Sequence, residues 1–137
     1  MGTWIGTARS NYFRVKDPEA FRVWAESLGL DVFDRIDHQR ERRYCIAAAE
    51  GDGWPLSTGR GEDWRKIDFI AELAQHVKPG DIVVCTEAGA EKRRFITGEA
   101  VAFRVGFAGV ERLKISLNDI YDLAEREWGM RPNEAEY

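Results

Sequence analysis

The sequence has little cysteine, and its two cysteines do not form the pattern of a disulfide-bonded secreted domain. Cys45 and Cys85 each stand within an apolar stretch, where a free thiol behaves as a small hydrophobic side chain. Buried free thiols are typical of a reducing compartment, so the sequence predicts a cytoplasmic protein. The first residues show no basic segment followed by an apolar one, and no run approaches the roughly 18 apolar residues of a membrane span.

Histidine, the usual general base and a frequent metal ligand, occurs only twice in the sequence. His38 stands in a charged turn, where a solvated hairpin tip is favoured over a weak metal or acid–base site. His76 stands at the end of a predicted helix, where it would interact with the last carbonyl groups. The sequence contains none of the usual nucleophile, phosphate-loop or zinc-helix motifs. We therefore predict no catalytic residue, no metal and no cofactor.

Charge of one sign is not in large excess either. The 137 residues include 24 acidic and 20 basic side chains, which gives a net charge of −4. A domain that grips nucleic acid through its phosphates usually has a basic excess, so this class is not favoured. Hydrophobic residues make up 44% of the chain, which is enough for a real core. We predict one domain over residues 1–129 and a polar tail over residues 130–137.

The clearest local signal is a helix start. Asp17 can cap the helix, Pro18 suits the first helical position and Glu19 places an acid in the first turn. Apolar residues follow on one helical face, and Gly29 is the natural residue after the helix end. The pattern therefore predicts a helix over residues 18–28.

The remaining patterns predict an α+β fold. A second helix is expected over residues 64–77, and a third begins at Ser116 and ends before Gly129. Gly98 predicts a bulge, and residues 87–91 a turn. The predicted strands cover residues 11–16, 30–36, 43–49, 81–86, 92–105 and 110–115. This order predicts a ferredoxin-like βαββαβ start, a strand meander and a C-terminal helix, with a mostly antiparallel sheet and helices on one face.

The tryptophans separate into core and loop positions. Trp24, Trp64 and Trp128 fall on the apolar faces of predicted helices, which predicts core positions. Trp54 instead lies within residues 50–63, a long glycine-rich loop. Because tryptophan and arginine are enriched among interface anchors, Trp54 and Arg60 form the best candidate contact point for a partner. A loop tryptophan folded back onto the core is an equal alternative.

Two basic clusters complete the candidate partner-binding residues. If they converge on one sheet face they could bind phosphate, with Tyr12, Phe13 or Phe95 as stacking platforms. The alternative is protection of sheet edges by charge, which the interleaved acids favour somewhat. The first cluster comprises Arg40, Arg42 and Arg43, and the second comprises Lys92, Arg93 and Arg94.

Three stretches carry a resemblance to a known group of proteins. They are residues 9–17 (RSNYFRVKD), 67–73 (IDFIAEL) and 115–121 (ISLNDIY). With these stretches the chain resembles small accessory proteins of bacterial phages and mobile elements, some of which are anti-CRISPR or anti-restriction inhibitors. The resemblance implies an inhibitor or accessory protein, and it transfers no functional residue.

These observations lead to three hypotheses. The favoured one is a non-enzymatic protein-binding module, with an inhibitor of a host nucleic-acid-processing effector as its most specific form. The first alternative is a nucleic-acid-binding domain that uses the basic clusters and strand aromatics. The second is an enzyme whose carboxylates meet only in the folded protein. A homodimer through an uncovered sheet edge or face stays open for each of them, and no membrane partner is expected.

Overall fold

The computed structural model describes residues 3–134, in which three α-helices accompany a six-stranded sheet and a small two-stranded one. The helices are α1 (Pro18–Ser27), α2 (Phe69–Ala74) and α3 (Asp119–Trp128). The strands are β1 (Ile5–Ser10), β2 (Asp31–Ile36), β3 (Arg42–Ala47), β4 (Ser57–Thr58), β5 (Arg65–Lys66), β6 (Ile82–Glu91), β7 (Arg94–Gly106) and β8 (Gly109–Ser116).

The large sheet has the strand order β2-β3-β1-β6-β7-β8, and all its neighbouring strands are antiparallel. β3 lies between the two strands that α1 connects, and β1 lies between the two strands that α2 connects. β6, β7 and β8 then continue as a meander of hairpins. The prediction of an α+β fold with a mostly antiparallel sheet is confirmed.

The helix α1 forms as its sequence predicts. The Asp17 carboxylate accepts hydrogen bonds from the backbone N–H groups of Glu19 and Ala20, at 3.1 and 3.2 Å, and Pro18 occupies the first turn. Gly29, with φ of 72°, continues the chain in the left-handed region that glycine adopts without strain. The predicted helix over residues 18–28 therefore agrees with α1 to within one residue.

The core lies between α1, α2 and one face of the sheet. Phe21 of α1 is fully buried, and its ring centroid lies 5.8 Å from that of Phe13 and 5.6 Å from that of Tyr44. The sheet contributes Val83 and Cys85 from β6 and Phe103 from β7. Within residues 3–134, the helices are too short or too polar for any of them to cross a membrane.

The first predicted strand was placed one segment too late. Residues 11–16 form only isolated bridges, whereas β1 lies earlier, where the sequence alternates small and polar residues. The physical reason lies in Asn11, whose side chain accepts a hydrogen bond from the N–H of Val84 and donates one to the carbonyl of Ile82. This side chain replaces the ladder bonds that a continued strand would make with β6.

The second predicted helix was too long. Residues 64–77 share an apolar periodicity, but α2 covers only six of them because Asp68 caps the helix, accepting a bond from the N–H of Ala71. Before that cap the chain is extended and forms β5, which pairs with β4. Trp64 is therefore 58% exposed, and the prediction that it lies in the core is wrong.

The meander also departs from two predictions. Residues 87–91 continue β6 and do not form a turn, and β7 passes through Gly98 in regular register. The one irregularity in the β6–β7 pairing falls between Gly89 and Glu91. Gly89 of β6 pairs with Gly6 of β1, and a Cβ at either glycine would lie within 2.5 Å of the Trp4 ring. This glycine pair lets the Trp4 indole lie directly on the sheet.

The helix α3 ends where the sequence predicts, but it begins at Asp119, three residues after the predicted start, and it is not packed as predicted. Asp119 accepts hydrogen bonds from the N–H and the hydroxyl of Ser116, and Gly129 ends the helix with φ of 71°. Trp128 is 81% exposed, so its predicted core position is wrong. The last residues of the predicted tail, 135–137, lie outside the described residues.

Candidate functional site

The two predicted basic clusters do not converge. Arg43 lies next to Asp81, which directly precedes β6, whereas Lys92 and Arg93 form the turn that follows β6. The ten residues of β6 span about 30 Å, so the clusters lie at opposite ends of the sheet. A single phosphate-binding groove built from both clusters is therefore not formed.

Ion pairs occupy much of the first cluster. Arg43 donates to the Asp37 carboxylate at 2.6 Å and lies 3.8 Å from Asp81, which in turn holds Arg14 at 2.7 Å. The hydrogen bond from Arg43, together with backbone N–H donors, lowers the pKa of Asp37 to about 2. Asp81 also has a lowered pKa, because its bonds from Arg14 outweigh its burial. Both acids pair with the Arg43 guanidinium and are held ionised, as in a structural ion-pair network.

The other predicted contact residues of these turns are exposed. Arg40, with φ of 64°, lies in the β2–β3 turn, and Arg42 pairs with Asp34. At the opposite end, Arg94 bonds to Glu91 at 2.8 Å, while Lys92 turns the chain with φ of 55°. The edge strands of the sheet are β2 and β8, and none of these residues lies on either of them, so the structure does not support the alternative of edge protection by charge.

The loop residues Trp54 and Arg60 lie in different surroundings. Trp54 stacks on Phe69 of α2, with ring centroids 4.9 Å apart and ring planes inclined by 18°. Its backbone N–H donates to the Glu87 carboxylate at 3.1 Å. Arg60 is exposed beside the short 3₁₀ turn between β4 and β5. Trp54 is therefore folded back onto the core, which was the alternative to a contact with a partner.

The stack on Phe69 extends across the helices. Trp24 stacks on the other side of Phe69, with centroids 5.8 Å apart, and its indole N–H donates to Glu72 at 3.0 Å. The ring centroid of His76 lies 5.1 Å from that of Trp24 and 6.0 Å from that of Phe21. Burial against these rings, and secondarily the charge of Lys16, lowers the pKa of His76 from its ordinary value of 6.5.

This lowered pKa predicts a loss of stability on mild acidification. The unfolded chain binds a proton at His76 more readily than the folded protein, so the free energy of unfolding should fall as pH decreases through 6.5. Chemical denaturation between about pH 7.5 and 5.5 would measure the slope. In His76→Phe the slope should decrease. An equal slope in both proteins would contradict the assignment, because the acids with lowered pKa titrate below this range.

Within residues 3–134, no helix covers the other face of the sheet. Because side chains alternate along a strand, Val83 and Cys85 point to the helices and Ile82, Val84 and Thr86 point away. On this face of β1, β6, β7 and β8, the charged residues are Arg9 on one side and the Arg104–Glu111 ion pair on the other. The residues between them are uncharged. We call these residues the outer-face patch: Ile5, Thr7, Ile82, Val84, Thr86, Ala88, Ala90, Gly98, Ala100, Ala102, Leu113 and Ile115.

The large side chains of the outer-face patch are strongly exposed. Leu113 is 77% exposed, Ile115 67% and Ile82 57%. Exposed single hydrophobic residues are ordinary, but a contiguous apolar area of this kind marks an interaction site more often than bare surface. Leu113 and Ile115 were predicted to lie on a strand, yet alternation alone could not reveal that their face has no cover.

The helix α3 extends this surface. Ile120 and Leu123 are exposed apolar side chains on one side of the helix, and Trp128 is exposed at the helix end beyond the buried Ala124; we call Ile120, Leu123 and Trp128 the α3 stripe. Ile115 and Leu123 line the same groove of about 750 Å³ between β8 and α3. The outer-face patch and the α3 stripe therefore form one continuous surface at the β8 side of the sheet.

A basic and aromatic margin adjoins the outer-face patch on the β2 side. The Arg9 guanidinium lies 5.3 Å from the centre of the Phe33 ring, and the Arg35 guanidinium lies 4.2 Å from that of Tyr12. In the described part of the chain neither guanidinium forms an ion pair within 4.0 Å. Tyr12 was predicted as a stacking platform, but Arg35 of the same chain covers its ring, and Phe13, predicted with it, is fully buried.

Within residues 3–134 no three histidine, cysteine, aspartate or glutamate side chains come together as a metal site. Cys45 and Cys85 are free and buried, and burial raises the pKa of Cys85 to about 12. No protein-family model matches the chain, and comparisons with curated proteins and with solved structures find no match.

Proposed function

We propose that this protein is a protein-binding module that acts by contact through the outer-face patch and the α3 stripe. The observation that carries the proposal is an uncharged, uncovered sheet face in a chain of which 32% is charged. A protein interface is distinguished by depletion of charge at its centre and by a polar rim. Here Arg9, Arg104 and Glu111 form such a rim around apolar and small side chains.

The resemblance to small accessory proteins of mobile elements supports a more specific form of the proposal. In that form the module is an inhibitor that occludes a host nucleic-acid-processing effector, and binding replaces any chemistry of its own. The resemblance is the support for this extension, whereas the protein-binding module itself is supported by the surface described above.

Site-specific photo-crosslinking in cells tests the protein-binding module. A photoreactive amino acid at position 88, in place of exposed Ala88 of the outer-face patch, should give covalent adducts of discrete mass. The control position is Val23 of α1, which is 64% exposed but lies outside the surface, and it should give few adducts. Mass spectrometry of each adduct then identifies the captured chain. Adducts of equal yield at both positions, or none at position 88, would refute the proposal.

A further inference from the structure

We infer that the occupant of this surface is a second copy of the same chain, related by a two-fold axis. In this pair α3 of each copy lies across the outer-face patch of the other, so that each chain contributes one helix and one sheet face. The inference rests on the proposed function, because it names the partner of the same surface. It commits to one geometry, in which two identical contacts form at once.

The dimensions of the two parts agree. The ten residues of α3 span about 15 Å along the helix axis. The four strands of the outer-face patch, spaced at about 4.8 Å, span a similar width. The middle of the patch has short side chains, such as Ala88 and Ala100, while Ile5 and Leu113 stand at its two sides. A helix with a projecting stripe can therefore approach the middle of the patch closely.

The charges of the two parts are complementary. Four carboxylates and one guanidinium lie within Asp119–Trp128, so α3 is negative overall. Asp122 and Glu125 already bond to Arg131, whereas Glu127 forms no ion pair among residues 3–134. Arg9 lies on β1, at the edge of the patch where the end of a docked helix would lie, and it forms no ion pair within 4.0 Å among residues 3–134. Beyond it the same face carries Arg35 and one acid, Asp31, so this margin is positive overall. Opposite charges thus meet at the rim of the apolar contact.

The surface has the size of a small, reversible interface. In projection the patch covers roughly 300 Å² and one face of α3 roughly 150 Å². The sum of roughly 450 Å² per chain lies below the roughly 800 Å² per partner of a standard interface and in the range of weak, transient ones. We therefore expect a dimer that forms at tens of micromolar protein and dissociates on dilution.

Sedimentation of the purified full chain tests the inference. At about 100 μM the protein should sediment as a dimer, at twice its mass of 15.7 kDa. Thr86→Lys places a charge in the middle of the outer-face patch, and Leu123→Glu places one in the α3 stripe. Each substitution should raise the dissociation constant at least about 10-fold, while the control Val23→Glu should leave it unchanged. All three positions are exposed, and circular dichroism checks that each variant is folded.

A mixing experiment tests the reciprocal geometry. When Thr86→Lys and Leu123→Glu chains are combined, one of the two contacts is again unmodified, and in the other the new lysine meets the new glutamate. The mixture should therefore associate more tightly than either variant alone. If Thr86→Lys does not fold, Ala88→Lys provides the same test on the same face.

The outcomes separate this inference from the proposed function. If the wild-type protein is monomeric and position 88 captures a different protein, the inference of a second copy is wrong and the proposed protein-binding module stands. A monomeric protein without an adduct at position 88 overturns both. A dimer that survives both substitutions, or variants whose mixture stays monomeric, overturns the reciprocal geometry.

Discussion

Replacing Phe21 with alanine should lower the free energy of unfolding by about 3–5 kcal/mol, the usual cost of removing a buried phenylalanine ring. Phe21 is fully buried, and its ring contacts Phe13, Tyr44 and His76. The loss combines transfer of the ring to water with a cavity between α1 and the sheet. Because domains of this size have stabilities of about 5–15 kcal/mol, this loss removes a large part of the total stability.

Urea titration followed by circular dichroism would measure this change. Val23→Ala on the same helix is the matched control, since Val23 is mostly exposed and its truncation should change stability by at most about 0.5 kcal/mol. A loss below about 1 kcal/mol for Phe21→Ala would show that this ring does not hold α1 to the sheet.

Replacing Trp54 with alanine should also destabilise the fold, by about 2–3 kcal/mol for a half-buried aromatic side chain. The ring covers Phe69, and its loss would uncover the aromatic stack that continues to Trp24. The indole N–H of Trp54 is buried without a hydrogen-bond partner among residues 3–134. Trp54→Phe keeps a stacked ring and removes that unpaired donor, so it should retain most of the stability.

Thermal unfolding of the two Trp54 variants would distinguish the structural role from a partner contact. If Trp54 were chiefly a contact residue, both variants would keep the wild-type melting temperature and lose association equally. We expect the opposite, with Trp54→Ala melting lower than Trp54→Phe and with neither variant altering capture at position 88.

Local signals in the sequence predicted the elements whose ends depend on neighbouring residues. The capping carboxylate of Asp17 and the glycine after the helix placed α1, and the Ser116–Asp119 pair placed the start of α3 to within three residues. The end of the predicted strand over residues 92–105 and the start of the one over residues 110–115 likewise agree with the hairpin of β7 and β8. In each case the interaction that fixes the boundary spans only a few residues, so the sequence contains it directly.

Predictions failed where a distant contact overrides local preference. The side chain of Asn11 ends the pairing that β-forming residues after it would otherwise continue. Pairing of β5 with β4 keeps the chain extended up to Lys66, so α2 begins only after Asp68 although the apolar period starts at Trp64. β6 extends to Glu91 because it pairs with β1 and β7, and these pairings join residues that are far apart in the sequence.

The candidate site shows the same division. The sequence by itself determined the α+β class, the buried thiols and the apolar periods of β8 and α3, because each follows from composition or from spacing along one segment. The tertiary structure alone decided that the basic clusters lie apart, that Trp54 faces inward, and that the apolar sides of β8 and α3 have no cover. Burial is a property of what packs against a side chain, and here α1 and α2 cover one face of the sheet and leave the other open.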